Sequence, residues 1–155
     1  RRDPPVKTEE KRDYSPLAVS AWEDVFRSVT KVARDLAVSE AWCELSQAEY
    51  GVLYTLTKRP QGTKIQELGE DVLLTQTGLS RLVARLVDKG LVERRTDPQD
   101  ARSALLTLTD EGRAAQKRIG RVHAREITEA LTPRLTPEEL EQLAVLSQKL
   151  LGPPK

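Results

Sequence analysis

The chain carries one cysteine and one histidine in 155 residues. Cys43 has no second thiol for an internal disulfide, and His123 alone does not assemble a metal cage. Aromatic residues make up only 4%, so apolar area is supplied mainly by Leu, Val and Ala, the usage of a helix-rich protein. No apolar run approaches the roughly 18 residues of a membrane span, and no cationic-then-apolar leader opens the chain. Neither a membrane nor secretion is expected, and a reducing cytoplasm is the expected setting. A glycine-rich phosphate loop is missing, and nothing in the sequence groups a base with a nucleophile. An enzyme, a cofactor and a metal site are therefore not expected. Lys and Arg number 25 against 24 Asp and Glu. With the whole-protein field nearly neutral, any polyanionic partner has to be met by a local patch.

What is present is helical periodicity, broken once. Residues 1–15 are charged, proline-bearing and without period, and read as a flexible arm. Ala18, Trp22, Val25, Phe26, Val29, Ala33 and Leu36 then recur at steps of three and four, an amphipathic helix within 16–40. Ser46-Gln-Ala-Glu49 reads as a capping box opening a helix with Tyr50, Leu53, Tyr54 and Leu56. Thr63-Lys-Ile-Gln66 reads as a cap for a short helix with Ile65 and Leu68 inward. A further helix after Thr75 turns Leu79, Leu82, Val83 and Leu86 inward and stops at Lys89-Gly90. The period then becomes two over Leu91–Thr96 and Ser103–Thr109, with Asp97-Pro-Gln-Asp-Ala-Arg102 as the turn between them. Two more helices follow within 110–151, the second opened by Thr136-Pro-Glu-Glu139. The expected fold is mainly α with a small β-hairpin wing: a winged helix-turn-helix over 45–109, flanked by terminal helices within one structural domain. Those flanking helices, 16–40 and 110–151, are too amphipathic to stay solvated alone and are expected to pair with each other and with a second copy.

The segment from Thr75 to Arg102 carries the chemistry. With the apolar side of its helix committed to the core, Gln76, Thr77, Ser80, Arg81 and Arg85 face solvent along with Thr75 at its start. Arginine suits guanine edges or phosphate, glutamine adenine edges, and hydroxyls phosphate or either base class. This segment holds six basic and four acidic side chains, a local excess that favours double-stranded DNA. In the turn, Arg102 is placed to enter a minor groove, with Asp100 steadying its guanidinium. A solvated helix face and an ordinary turn ion pair are the plainer explanations of the same residues, and a winged-helix protein–protein module is the alternative function. Cys43, flanked by Glu40 and Glu44, reads as structural rather than as a redox switch, and His123 as a core or interface residue. Trp22, Phe26, Tyr50 and Tyr54 are expected to gather where the first two helices meet, with core packing as the first explanation.

Four runs together resemble the bacterial MarR family. They are Leu45-Ser-Gln-Ala-Glu-Tyr-Gly-Val-Leu, Ile65-Gln-Glu-Leu-Gly-Glu, Thr75-Gln-Thr-Gly-Leu-Ser-Arg-Leu-Val-Ala-Arg, and Asp97-Pro-Gln-Asp-Ala-Arg followed by Leu-Thr-Asp-Glu-Gly112. The resemblance implies an obligate homodimer joined through the first and last helices. It also implies operator binding, usually repression, relieved by a small anionic or phenolic effector or by oxidation, with the junction of Trp22, Phe26, Tyr50 and Tyr54 as the ligand pocket. Ala101 stands where many members carry a second wing arginine, and Gly78 where many carry a hydroxyl.

Overall fold

The computed structural model describes residues 15–72 and 76–152. Six α-helices occur among them: α1 (Ser15–Leu36), α2 (Gln47–Thr57), α3 (Ile65–Val72), α4 (Gln76–Asp88), α5 (Asp110–Leu131) and α6 (Pro137–Leu151). A 3-10 turn at Glu40–Cys43 precedes α2, and the antiparallel pair β1 (Val92–Asp97) and β2 (Asp100–Leu108) follows α4. The order matches the expected winged helix-turn-helix with flanking helices. The flexible arm lies almost entirely outside the described residues. The chain falls into two compact units, one ending at Asp35 and one beginning at Leu36. α1, all but its last residue in the first unit, contributes no buried residue.

Local chemistry fixes the helix ends. Ser46 Oγ accepts the Glu49 amide at 3.1 Å while Glu49 Oε2 accepts the Ser46 amide at 2.9 Å, a closed capping box whose loss costs about 1 kcal/mol. Thr136 and Glu139 repeat the device at α6, with Pro137 in the first turn. Thr109 caps α5 through the Gly112 amide. At the far end of α4, Gly90 adopts φ 72, and the amides of Gly90 and Leu91 return to the carbonyls of Val87 and Leu86 at 2.9 and 3.0 Å. That pattern needs a residue at ease in the left-handed region.

The start of α3 corrects the sequence expectation. Thr63 does not cap it. Its amide donates to the Leu106 carbonyl at 3.1 Å, and the Leu106 amide donates back to the Thr63 carbonyl at 2.9 Å. Pairing of this kind holds Thr63 in line with the hairpin, where its hydroxyl donates instead to Glu67 Oε2 at 2.9 Å. α1 likewise ends at Leu36, short of residue 40, and Ser39 caps the 3-10 turn instead.

The core gathers Leu45, Val52, Leu53, Leu56, Leu68, Leu79, Leu82, Val83 and Leu86 with Val92, Leu106, Leu108, Ala115 and Ile119. It joins α2, α3, α4 and the sheet to the first half of α5, and each fully buried leucine contributes about 1.5–3 kcal/mol. α6, like α1, has no buried residue. Leu17, Val19, Trp22, Phe26 and Val29 on the first helix stand exposed, as do Leu146, Leu150 and Leu151 on the last. Among the described residues no helix is long and apolar enough to cross a membrane.

Candidate nucleic-acid interface

Four buried side chains set the outward face of α4. With Leu79, Leu82, Val83 and Leu86 locked into the core, Ser80, Arg81 and Arg85 are exposed. Arg81 has no ion-pair partner among the described residues. Gln76 and Thr77 open the helix, although their side chains, and Thr75 altogether, lie outside the described part. Arg85 differs from Arg81: its Nε stands 3.5 Å from Glu49 Oε1.

The wing is tighter than its sequence suggested. The turn contains only Pro98 and Gln99, and β2 begins at Asp100, so Arg102 belongs to a strand rather than to the loop. The register slips between Thr96 and Asp97, leaving Arg102 in an irregular stretch beside the tip. Two carboxylates build this tip. Asp97 accepts the Gln99 amide at 2.9 Å and the Ser103 hydroxyl at 3.4 Å, while Asp100 accepts the Arg102 amide at 3.1 Å. Asp100 thus holds the backbone of Arg102 and not its guanidinium, a correction to the expected side-chain pair, because a carboxylate two residues back reaches the amide first. Arg102 is exposed, with no ion-pair partner among the described residues. Lys64, just before α3, stands 3.6 Å from Asp97 and 3.9 Å from Asp100 and draws the tip toward the helix-turn-helix. The Gln99 amide lowers the Asp97 pKa below its ordinary value, against a smaller opposing effect of burial and with help from Lys64.

Two features escaped the sequence reading. Arg94 is exposed on β1 and lines, with Lys64, Gln66 and Ser103, a cavity of about 290 Å³ between the start of α3 and the hairpin. Glu49 is only 5% exposed; besides its capping role it binds Lys89 Nζ at 3.1 Å. Burial raises the Glu49 pKa, but the Ser46 amide, Lys89 and Arg85 outweigh it, and the carboxyl lies below its ordinary range. Only the local Ser46–Glu49 spacing was visible beforehand; pairing across 40 residues carries no sequence signature.

The four expected pocket aromatics enter as two pairs. Trp22 and Phe26 lie 6.2 Å apart on α1, and Tyr50 and Tyr54 lie 6.2 Å apart on α2. Tyr50 is completed by residues not assigned to that pocket: Trp42 at 5.7 Å and His123 at 5.5 Å, themselves 4.9 Å apart. The indole of Trp42 donates to the Leu36 carbonyl at 2.9 Å. Tyr50, Tyr54, Gly120, His123, Ala124 and Ile127 line a cavity of about 350 Å³, and His123 Nδ1 is buried without a hydrogen-bond partner among the described residues. Cys43 is an exposed free thiol. It is not packed as a structural cysteine, because Ala41 and Leu45 take the inward positions around it.

A helix-turn-helix packed on the core through its apolar side, an exposed basic face on its second helix and a hairpin bearing an exposed arginine define a winged-helix transcriptional regulator. A profile described as the MarR family matches residues 44–103. The multiple antibiotic resistance protein MarR of Escherichia coli is 31% identical over 108 residues, covering 70% of this chain and 74% of that protein. The chain belongs to the MarR family, whose members are transcriptional regulators and not enzymes. An HTH-type transcriptional regulator of Bacillus subtilis, YkoM, is 36% identical over 102 residues, 65% of this chain; the chain spans 64% of that relative's length. Among solved structures, Sco3205, a MarR family transcriptional regulator from Streptomyces coelicolor in complex with DNA, superimposes with a TM-score of 0.70 at 26% identity. That match covers 97% of this chain and 91% of Sco3205. The PcaV transcriptional regulator of the same organism, in complex with its natural ligand, gives 0.63 at 28% identity, covering 95% and 97%.

Proposed function

We propose that this regulator binds double-stranded operator DNA in a sequence-specific manner as a homodimer, and represses until a small anionic or phenolic effector releases it. The carrying observation is exposure: Ser80 and Arg81 stand on the face of α4 that the core leaves outward, and Arg102 beside the wing tip. α4 supplies base readout, with Thr75, Gln76 and Thr77 at its start. Arg102, its backbone set by Asp100, supplies minor-groove electrostatics. Sco3205, solved with DNA, supports the same partner here.

Assembly follows from the exposed stripes of α1 and α6, which escape water by pairing with a second copy. Two-fold symmetry then asks for a pseudo-palindromic operator with half-sites about one helical turn apart. This reading keeps residues 45–109 for DNA, 16–40 and 110–151 for dimerisation, and places the protein in the cytoplasm with its DNA. The cavity beside Tyr50, Tyr54 and His123 offers ring faces for an aromatic effector, and PcaV was solved with its ligand. Release requires the effector to bind better when the two α4 helices are wrongly spaced.

Genomic footprinting supplies the operator, and titrations of operator and scrambled duplexes at several salt concentrations then test the residues. Arg81→Ala is expected to cost about 1–3 kcal/mol and to relax preference at one position. Arg102→Ala is expected to weaken all sequences alike and to reduce the salt slope by about one unit. If both variants stay folded and bind like wild type, the protein–protein module takes precedence.

A further inference from the structure

Glu49 has an unusual position for a capping residue. Its side chain is 6% exposed, whereas the cations on it, Arg85 and Lys89, remain 56% and 41% exposed. One carboxylate oxygen serves both, Lys89 at 3.1 Å and Arg85 at 3.5 Å, while the other accepts the Ser46 amide. Both cations sit at the C-terminal end of α4, where the helix dipole also favours positive charge. A carboxylate withdrawn from water is screened less than a phosphate on a hydrated duplex, so it competes strongly for a cation within reach of both. The cap fixes that carboxylate in place, and holding Arg85 and Lys89 there needs little further ordering of Glu49.

We infer that Glu49 is an internal counter-ion that keeps Arg85 and Lys89 off the DNA backbone, making it a positioning residue for the charge of the reader helix α4. This rests on the DNA-binding reading above and removes Arg85 from the contacts expected of that helix from sequence. Arg81, one turn earlier and without an ion pair among the described residues, stays available. The device limits how many phosphates the protein neutralises, and therefore how strongly it holds DNA regardless of sequence.

Glu49→Gln is the diagnostic change, because glutamine at the third helical position still accepts the Ser46 amide while the charge is gone. On a scrambled duplex, wild type is expected to bind with a given salt slope and Glu49→Gln with a slope steeper by about one to two units. Adding Arg85→Ala and Lys89→Ala to that variant is expected to take back about one unit each. An unchanged slope, or a steeper one that survives loss of both cations, overturns the inference. A purely structural Glu49 lowers the melting temperature and leaves the slope alone. Wild type itself gives a second readout, for which a variant serves only to assign the signal. The Arg85 Nε–H resonance, assigned by its disappearance in Arg85→Lys, is expected to stay in place when duplex is added; its displacement overturns the inference equally. Failure of wild type to bind any duplex is a different result, and removes the DNA-binding reading itself.

Discussion

Gly112→Ala places a methyl group where the fold has no room. A Cβ on Gly112 meets the Leu91 carbonyl oxygen at 2.0 Å, against the 3.0 Å below which such contacts essentially never occur. The backbone must therefore separate by about 1 Å at the junction of α5 with the wing. Three interactions converge there: the Thr109 amide on that carbonyl at 3.1 Å, the Thr109 hydroxyl on the Gly90 carbonyl at 2.6 Å, and the Gly112 amide on the Thr109 hydroxyl at 3.0 Å. Loss of the cap costs about 1 kcal/mol, a hydrogen bond about 1 kcal/mol, and overpacking about 1–3 kcal/mol. A total of about 3–5 kcal/mol lowers the melting temperature of a protein this size by roughly 6–20 °C. Gly51→Ala is the control. It lies inside α2 with nothing within 4 Å of its Cβ, and alanine there is expected to gain about 0.5–1 kcal/mol. Thermal melts at one fixed protein concentration, since self-association shifts the midpoint, compare the two. If Gly112→Ala melts within about 2 °C of wild type, the close packing of α5 on the wing is refuted.

Light scattering at micromolar concentration is expected to return about twice 17.4 kDa, and a mass of one chain contradicts the pairing of α1 and α6. Because the folded carboxyls of Glu49 and Asp97 lie below their ordinary values, the folded state binds fewer protons in the acid range. Their stabilisation is complete above the usual carboxylate range and is lost as pH falls from that range through their lowered folded values; melts taken from neutral pH downward are expected to decline less steeply for Glu49→Gln than for wild type. Cys43→Ser, at an exposed position, is expected to shift stability by less than about 0.5 kcal/mol and to leave operator release unaffected by organic peroxide; a peroxide response that vanishes in this variant shows the thiol to be a sensor.

Elements whose causes are local were legible in advance. The boxes at Ser46 and Thr136, the stop at Gly90 and the inward set of α4 each follow from residues within one or two turns. The Pro98-Gln99 turn was also placed, but β2 begins earlier than its alternation shows, because side chains of Asp97 and Asp100 reshape the tip through backbone amides. Where partners are distant, sequence was silent. Thr63 has the composition of a cap and serves Leu106 instead. Glu49 reads as half of a capping box, while its partners, Arg85 in the last turn of α4 and Lys89 just past it, lie 36 and 40 residues further on. Trp42 and His123 fell outside the expected pocket since nothing in the linear order brings the 3-10 turn against α5. In the interface, the exposed position of Arg81 was readable from helical period; the pairing that sets Arg85 apart from it was not.

The exchange of two backbone hydrogen bonds between Thr63 and Leu106 closes a ring of chain around α3, α4 and all of the hairpin but the last two residues of β2. Gly62, at φ 91 and with the Leu105 and Thr107 side chains 3.0 Å from where its Cβ would stand, lets the entering strand come that close. The enclosed segment therefore behaves as a cassette with both ends at one seam. Substitutions on its outward side can retune what is read while the seam keeps its geometry, and transplanting it between homologous scaffolds means matching that one seam together with the core face it presents to α2 and α5.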